Sequence, residues 1–207
     1  MYLEGRDGVS EDGINKARRN FLIGATSVVG TAGVVGVAVP FVASWNPSAR
    51  ALAIGAPIKI DISRLAPGDM LGPIPTWRSQ PIFVVNRTDG MLETLDERVD
   101  RLADPTSERD QQPSYAKNKY RSINPHVLVL VGICTHLGCV PKYHPEIKPQ
   151  DYDPNWLGGF YCPCHGSKYD ISGRVYKSVP APSNLVVPPY RYESDSVIIV
   201  GEGKEAA

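Results

Sequence analysis

All four cysteines of this 207-residue chain, and two of its four histidines, fall in two stretches of six residues. The first is Cys134-Thr135-His136-Leu137-Gly138-Cys139, the second Cys162-Pro163-Cys164-His165-Gly166-Ser167. Thiolate and imidazole are ligands of zinc and iron. So few cysteines, gathered in two short clusters, form a metal-site pattern rather than a disulfide scaffold. One Cys and one His from each stretch make a Cys₂His₂ set, Cys134-x-His136 with Cys162-x₂-His165. Zinc accepts such a set. So does a two-iron cluster with two thiolates on one iron and two imidazoles on the other. Spacing chooses neither the metal nor the liganding cysteine of each pair, because four cysteines permit three pairings. His126, which follows Pro125, and His144, which precedes Pro145, lack ligand spacing.

The pattern around these stretches is β. His126–Ile133 is a continuous apolar run and Gly159–Cys162 a short one, so each stretch is expected on a loop that follows a strand. Further strands are expected at Pro57–Ile62, Pro81–Arg87 and Ser196–Val200. Met91, Leu92, Leu95, Val99 and Leu102 recur at helical spacing, which predicts a helix over 91–102. Residues 103–125 are polar with scattered proline and read as a long surface loop. Gly and Pro number 19 each, which favours turns and short strands over a helical bundle. The 22 basic and 22 acidic side chains cancel, and no basic block exists, so nothing argues for nucleic-acid binding.

The N-terminal quarter differs. No charge occurs from Asn20 to Ala49, and its apolar core, Phe21 to Trp45, would make a helix roughly 37 Å long, enough to cross a membrane. A cleaved signal peptide has a shorter apolar region. Lys16, Arg18 and Arg19 precede the span, and Arg50 is the first charge beyond it, which puts the N-terminus in the cytoplasm and the rest outside. Arg18-Arg19-Asn20-Phe21-Leu22 resembles a twin-arginine export signal, with Ala17 where Ser or Thr is often found. Such a signal suits a domain exported already folded around its cofactor. The expected division is a cytoplasmic N-terminus at 1–19, a transmembrane helix at 20–45, a flexible tether at 46–56 and an exported domain at 57–207, with the metal-binding loops within about 132–182. In an exported domain disulfides persist, so two cysteines not bound to metal are free to crosslink the loops. A crosslink in addition to the metal suits a site that must stay rigid while exposed, as electron exchange requires.

C-T-H-L-G-C followed by C-P-C-H-G-S-x-Y-D resembles the two boxes of the Rieske iron–sulfur subunits of bacterial cytochrome bc1 complexes. The single anchor, the tether and the segment Pro180-Ala181-Pro182-Ser183-Asn184-Leu185 are similar too. The resemblance implies a mostly β protein: an antiparallel Rieske domain with a small cluster-binding subdomain, plus one N-terminal transmembrane helix. It implies one 2Fe-2S cluster, with Cys134 and Cys162 on one iron and His136 and His165 on the other. It implies a disulfide between Cys139 and Cys164, closing about 26 residues and worth roughly 3.5 kcal/mol on the chain-entropy model. Ser167 and Tyr169 would donate hydrogen bonds to cluster sulfur and raise the potential. Leu137, Gly138, Pro180 and Pro182 would shield the cluster and form its docking surface. His165 would accept a proton from ubiquinol as an electron enters, the quinol being bound at cytochrome b, and the electron would pass to cytochrome c1. A dimeric quinol–cytochrome c reductase in the bacterial inner membrane, with the Rieske domain in the periplasm, is the implied setting. The boxes depart from the familiar pattern twice: Lys168 stands where His is usual, and Val179 precedes Pro180 where Gly is common. The Rieske subunit of another exported oxidoreductase, such as an arsenite oxidase, is the nearest alternative reading. A zinc-binding interaction module is the alternative from a different class.

Overall fold

A computed structural model describes residues 15–72 and 74–203, so residues 1–14 of the expected cytoplasmic segment lie outside the described residues. The chain forms two units, one ending at Leu52 and one beginning at Ala53. In the first, α1 (Lys16–Ala43) starts where the Asn15 side chain accepts the Arg18 N–H at 3.0 Å, capping one of the free first-turn donors. None of its 28 residues is buried. A helix apolar on every side has no face to turn to water, and lipid is the solvent that suits it. It ends at Ser44, whose N–H donates to the Pro40 carbonyl at 2.9 Å. Within the segment read as a tether, α2 (Ala49–Gly55) is a seven-residue helix with no buried residue. So short a helix is marginal in water.

The second unit is built on three antiparallel sheets of three strands. The first orders β1 (Ile58–Asp61), β9 (Val197–Val200) and β8 (Tyr190–Ser194). The second orders β2 (Thr76–Trp77), β3 (Gln80–Asn86) and β4 (Val127–Val131). The third orders β5 (Lys142–His144), β6 (Gly159–Tyr161) and β7 (Lys168–Tyr169). β3 and β4 pair from Ile82↔Val131 to Asn86↔Val127 and carry the core. Ile82, Phe83, Val84, Val85, Leu128, Val129 and Leu130 are all buried, which explains why these strands read as unbroken apolar runs: both faces are covered. Phe83 of β3 stacks on Phe160 of β6 at 5.8 Å between ring centroids, which ties the third sheet to the core.

Two sequence expectations are corrected here. The helix expected over 91–102 is helical only in α3 (Asp89–Glu93) and continues as 3-10 turns at Thr94–Asp96 and Val99–Arg101. Thr94 turns its hydroxyl back to the Met91 carbonyl at 2.8 Å, and Arg98 leaves helical conformation, yet Met91, Leu95 and Leu102 are still buried. The apolar spacing therefore reported burial at Met91, Leu95 and Leu102 but not at Val99, which is 39% exposed, and it overstated the helix length. Residues 103–125 run only partly over the surface: Asp104, Ser107, Gln112, Ala116, Arg121 and Ser122 are buried, while Glu108, Arg109, Asp110, Ser114, Lys117 and Asn124 are exposed.

Three buried arginines explain how so much irregular chain enters the interior. Backbone carbonyls without a ladder need donors, and a guanidinium offers five. Arg121 donates to the carbonyls of Ser172 at 3.2 Å, Gly173 at 3.3 Å and Leu185 at 2.7 Å, and to Gln112 Oε1 at 2.9 Å. Arg87 reaches the Tyr120 carbonyl at 2.9 Å, Ser172 Oγ at 2.7 Å and Ser122 Oγ at 2.9 Å. Burial lowers both guanidinium pKa values to about 10, which keeps them charged at neutral pH. Arg174 pairs with Asp170 at 2.6 Å and donates to the Leu95 carbonyl at 2.7 Å and the Pro105 carbonyl at 3.1 Å. Replacing Arg174 with Met strands the buried Asp170 carboxylate. The unfolding free energy of the domain should fall by about 3 kcal/mol in a denaturant titration. Replacing Lys59, in the exposed Lys59–Glu193 pair, should leave the midpoint unchanged.

Candidate metal centre

The first cysteine stretch leaves β4 through Ile133 and leads to β5; the second joins β6 to β7. The two loops close alike. In the first, the Cys134 N–H donates to the Cys139 carbonyl at 2.7 Å and the Gly138 N–H to the Cys134 carbonyl at 3.0 Å. In the second, the Cys162 N–H donates to the Ser167 carbonyl at 2.8 Å and the Gly166 N–H to the Cys162 carbonyl at 2.9 Å. The fifth residue of each loop is left-handed, with φ +85° at Gly138 and +76° at Gly166, a conformation that only glycine takes without strain.

Superposed in this way, Cys134 and Cys162 share the first position, and both are 2% exposed. They are the free thiols. Burial pushes the Cys162 thiol above its ordinary range, and the neighbouring Cys134 thiol pushes it the same way. Cys139 and Cys164 form the disulfide, with Cα atoms 6.7 Å apart, so the crosslink joins loop to loop. The Cys162 sulfur lies within 4.8 Å of both disulfide sulfurs. Since those two are bonded to each other, the thiolate donors available to a metal are Cys134 and Cys162. His136 and His165 meet with ring centroids 4.8 Å apart and planes at 87°. His136 Nδ1 is buried without a hydrogen-bond partner, whereas the His165 side chain is exposed.

Tyr169, fully buried, sets its hydroxyl 3.2 Å from the Cys134 sulfur, 3.2 Å from the Thr135 N–H that it accepts, and 3.3 Å from Thr135 Oγ1. Burial pushes the Tyr169 hydroxyl well above its ordinary range, so it remains a donor. Ser167 Oγ, also buried, accepts the Ala181 N–H at 3.0 Å, which leaves its own hydrogen free. That bond, with Thr135 Oγ1 donating to the Ser183 carbonyl at 2.7 Å, ties the Pro180–Pro182 segment to both loops. Arg109 holds the Pro182 carbonyl from the other side. Leu137 is 72% exposed, and Gly138, Pro180 and Pro182 are exposed beside it.

The remaining histidines serve elsewhere. His126 Nδ1 lies 2.9 Å from the Arg87 carbonyl, and the His144 ring packs edge-on against Tyr152 and Tyr161. Sequence reasoning missed Thr135 and Asp153. Thr135 lies inside the first box and could have been found there. Asp153 carried no signal, yet it pairs with Lys168 at 2.9 Å and Arg101 at 3.0 Å. Burial raises the Asp153 carboxyl, but the Lys168 ammonium, the Asn155 N–H and Arg101 together hold it below its ordinary value.

Two buried thiols, a buried imidazole nitrogen with no partner and a second imidazole in contact with the first fit a cluster bound by two thiolates and two imidazoles. Fold and site define a Rieske-type iron–sulfur domain. Residues 112–191 match the Rieske [2Fe-2S] domain model, and residues 9–48 match the model of the ubiquinol–cytochrome c reductase Fe-S subunit TAT signal. The ubiquinol-cytochrome c reductase iron-sulfur subunit of Allochromatium vinosum is 53% identical over 199 residues, covering 96% of this chain and 95% of that protein. Its counterpart from Blastochloris viridis is 42% identical over 94% of this chain and 98% of its own length. That from Rhodospirillum rubrum is 40% identical over 96% and 99%. A chain of a hyperthermophilic respiratory Complex III aligns over 84% of this chain and 96% of its own, at 22% identity and a TM-score of 0.45. The chain belongs to the family of ubiquinol-cytochrome c reductase iron-sulfur subunits. It is a Rieske [2Fe-2S] protein with one N-terminal apolar helix long enough to span a membrane.

Proposed function

We propose that this chain carries single electrons from ubiquinol to a c-type haem, as the Rieske subunit of a quinol–cytochrome c reductase, an oxidoreductase and translocase. The observation that carries this reading is the contact of the exposed His165 with the half-buried His136, on two matching loops whose first residues are the buried Cys134 and Cys162. Cys134 and Cys162 would hold one iron, and His136 and His165 the other. A bound [2Fe-2S] group supplies a one-electron centre there. The chain does the rest. His136, its Nδ1 turned inward, anchors. His165 keeps one ring nitrogen on the open side, where it accepts a hydrogen bond and then the proton from a quinol hydroxyl. The Cys139–Cys164 disulfide and the Pro180–Pro182 segment keep both loops rigid and limit water beside the thiolates.

Tyr169 and Ser167 act through their hydrogens. The Tyr169 oxygen already accepts the Thr135 N–H, so its hydrogen is available to the Cys134 sulfur, and a thiolate is a stronger acceptor than the alternative Thr135 hydroxyl. Ser167 has its hydrogen free in the same way. The partners are cytochrome b, where quinol binds, and cytochrome c1, within a dimeric complex. Lys16, Arg18 and Arg19 before the span support a cytoplasmic N-terminus and a periplasmic Rieske domain in the bacterial inner membrane. Residues 46–56 are the tether between these sites. Its seven helical residues span about 10 Å as a helix and about 24 Å extended, so melting α2 lengthens the tether.

Electron paramagnetic resonance of membranes containing the protein tests the reading. A Rieske signal should appear with ascorbate, respond to the state of the quinone pool, and show a midpoint potential that falls with alkaline pH. Zinc in place of acid-labile sulfide would end the redox reading, and a signal needing a strong reductant would point to another oxidoreductase. Tyr169→Phe and Ser167→Ala should each lower the midpoint by on the order of 60 mV, the one-electron equivalent of about 1.4 kcal/mol, without loss of signal. Prolines at several positions within 49–55 should slow turnover and leave the spectrum intact; unaltered turnover would argue against the tether.

A further inference from the structure

Lys168 and Val179, the two positions at which the boxes depart from the pattern familiar in the family, line one cavity. It is open, has a volume of about 400 Å³, and is walled also by Asp100, Arg101, Tyr176 and Lys177. Lys168 stands on β7 between Ser167 and Tyr169, and alternation along the strand sends its side chain away from theirs. Its ammonium pairs with Asp153 Oδ2 at 2.9 Å, and Arg101 pairs with the same oxygen at 3.0 Å. The Asp153 side chain is 3% exposed, while those of Arg101 and Lys168 keep 31% and 18%. One buried carboxylate thus fixes two cations and leaves donors on each of them facing solvent. Lys177 is held at the rim, its ammonium donating to the Asp100 carbonyl at 2.8 Å. Tyr176, 5% exposed, forms the floor under the Arg101 guanidinium, which lies 5.2 Å from its ring centroid.

We infer that this cavity receives a carboxylate side chain of the electron-accepting partner subunit, a proposal that rests on the electron-carrier reading above. Three cations converge; of the two carboxylates beside them, the buried Asp153 is already engaged twice and Asp100 is exposed at the rim. The site borders the cluster face. Lys168 follows Ser167 directly, and Val179 runs into the Pro180–Pro182 segment, which Ser167 and Thr135 bind to the loops. A partner that meets the exposed His165 therefore lies beside the cavity, and an acidic side chain on it would find complementary charge. Docking charges of this kind act on encounter and orientation.

The test uses the assembled complex reconstituted in neutral and in anionic vesicles, with Lys177→Met, Lys177→Glu and Lys177→Arg. Cluster reduction by quinol and haem reduction by the cluster are timed separately over a range of salt. Lys177→Met should slow haem reduction about three- to tenfold at low salt and flatten its salt dependence, with Lys177→Glu slower still and Lys177→Arg restoring the parent rate. The resonance signal and the quinol step should not change. Haem reduction with the parent's rates and salt dependence would overturn the proposal. So would a defect confined to the quinol step, which assigns the carboxylate to the quinol-side subunit, or one seen only in anionic vesicles, which assigns the cavity to a lipid headgroup. A parent complex whose cluster quinol does not reduce would remove the electron-carrier reading and this proposal with it.

Discussion

Both cysteine loops are closed by the same pair of backbone hydrogen bonds, and the geometry of the site depends on that closure. The first residue of each loop donates its N–H to the carbonyl of the sixth and accepts from the N–H of the fifth. A six-residue segment tied at both ends has little freedom left, and the left-handed glycine at the fifth position lets it return. The side chain at position one is thereby directed into the domain, and both such residues are cysteines with 2% exposure. A metal held between two separate loops needs donors whose directions are set before it arrives, and here the backbone sets them.

That local order needs a rigid platform, and the platform is mostly irregular chain. The three small sheets provide short ladders only, so many carbonyls between residues 103 and 125 and between 170 and 185 have no strand partner. Arg87, Arg121 and Arg174 supply donors to them from inside the core. A neutral donor such as Asn reaches one or two carbonyls; a guanidinium reaches several at once in a fixed plane. The cost is burial of charge, which Asp170 and Asp104 offset at close range. The same Asp170 accepts the N–H groups of Ser172 and Arg174 at 2.9 and 2.8 Å, so the ion pair also shapes the turn after β7.

What could be read beforehand follows from how local each signal is. The strands His126–Ile133 and Pro81–Arg87 were legible because burial on both faces writes an unbroken apolar run. The disulfide pairing was legible only through the family resemblance of the two boxes, because spacing alone left three pairings open. The helix over 91–102 was misread because apolar residues three or four apart fit a chain of 3-10 turns as well as an α-helix, and the hydroxyl of Thr94 decides between them. The buried positions within 103–125 were illegible for a different reason: polar residues mark a surface loop unless their partners are known, and the carbonyls of Ser172, Gly173 and Leu185 that Arg121 meets lie 51 to 64 positions away. The β5 and β7 strands, at three and two residues, carry too little periodicity to be seen at all.

The two loops differ by one position in where they place histidine, and that offset joins the crosslink to the function. His136 is third in its loop and has a buried ring nitrogen; His165 is fourth in its loop and is exposed. The third position of the second loop is taken by Cys164, which bonds to Cys139 at the sixth position of the first. Had histidine stood third in both loops, no cysteine would occupy the place from which the second loop reaches across. The crosslink thus accompanies an imidazole moved outward by one residue, and an imidazole at the surface of a crosslinked pair of loops can meet a partner while the thiols behind it stay buried.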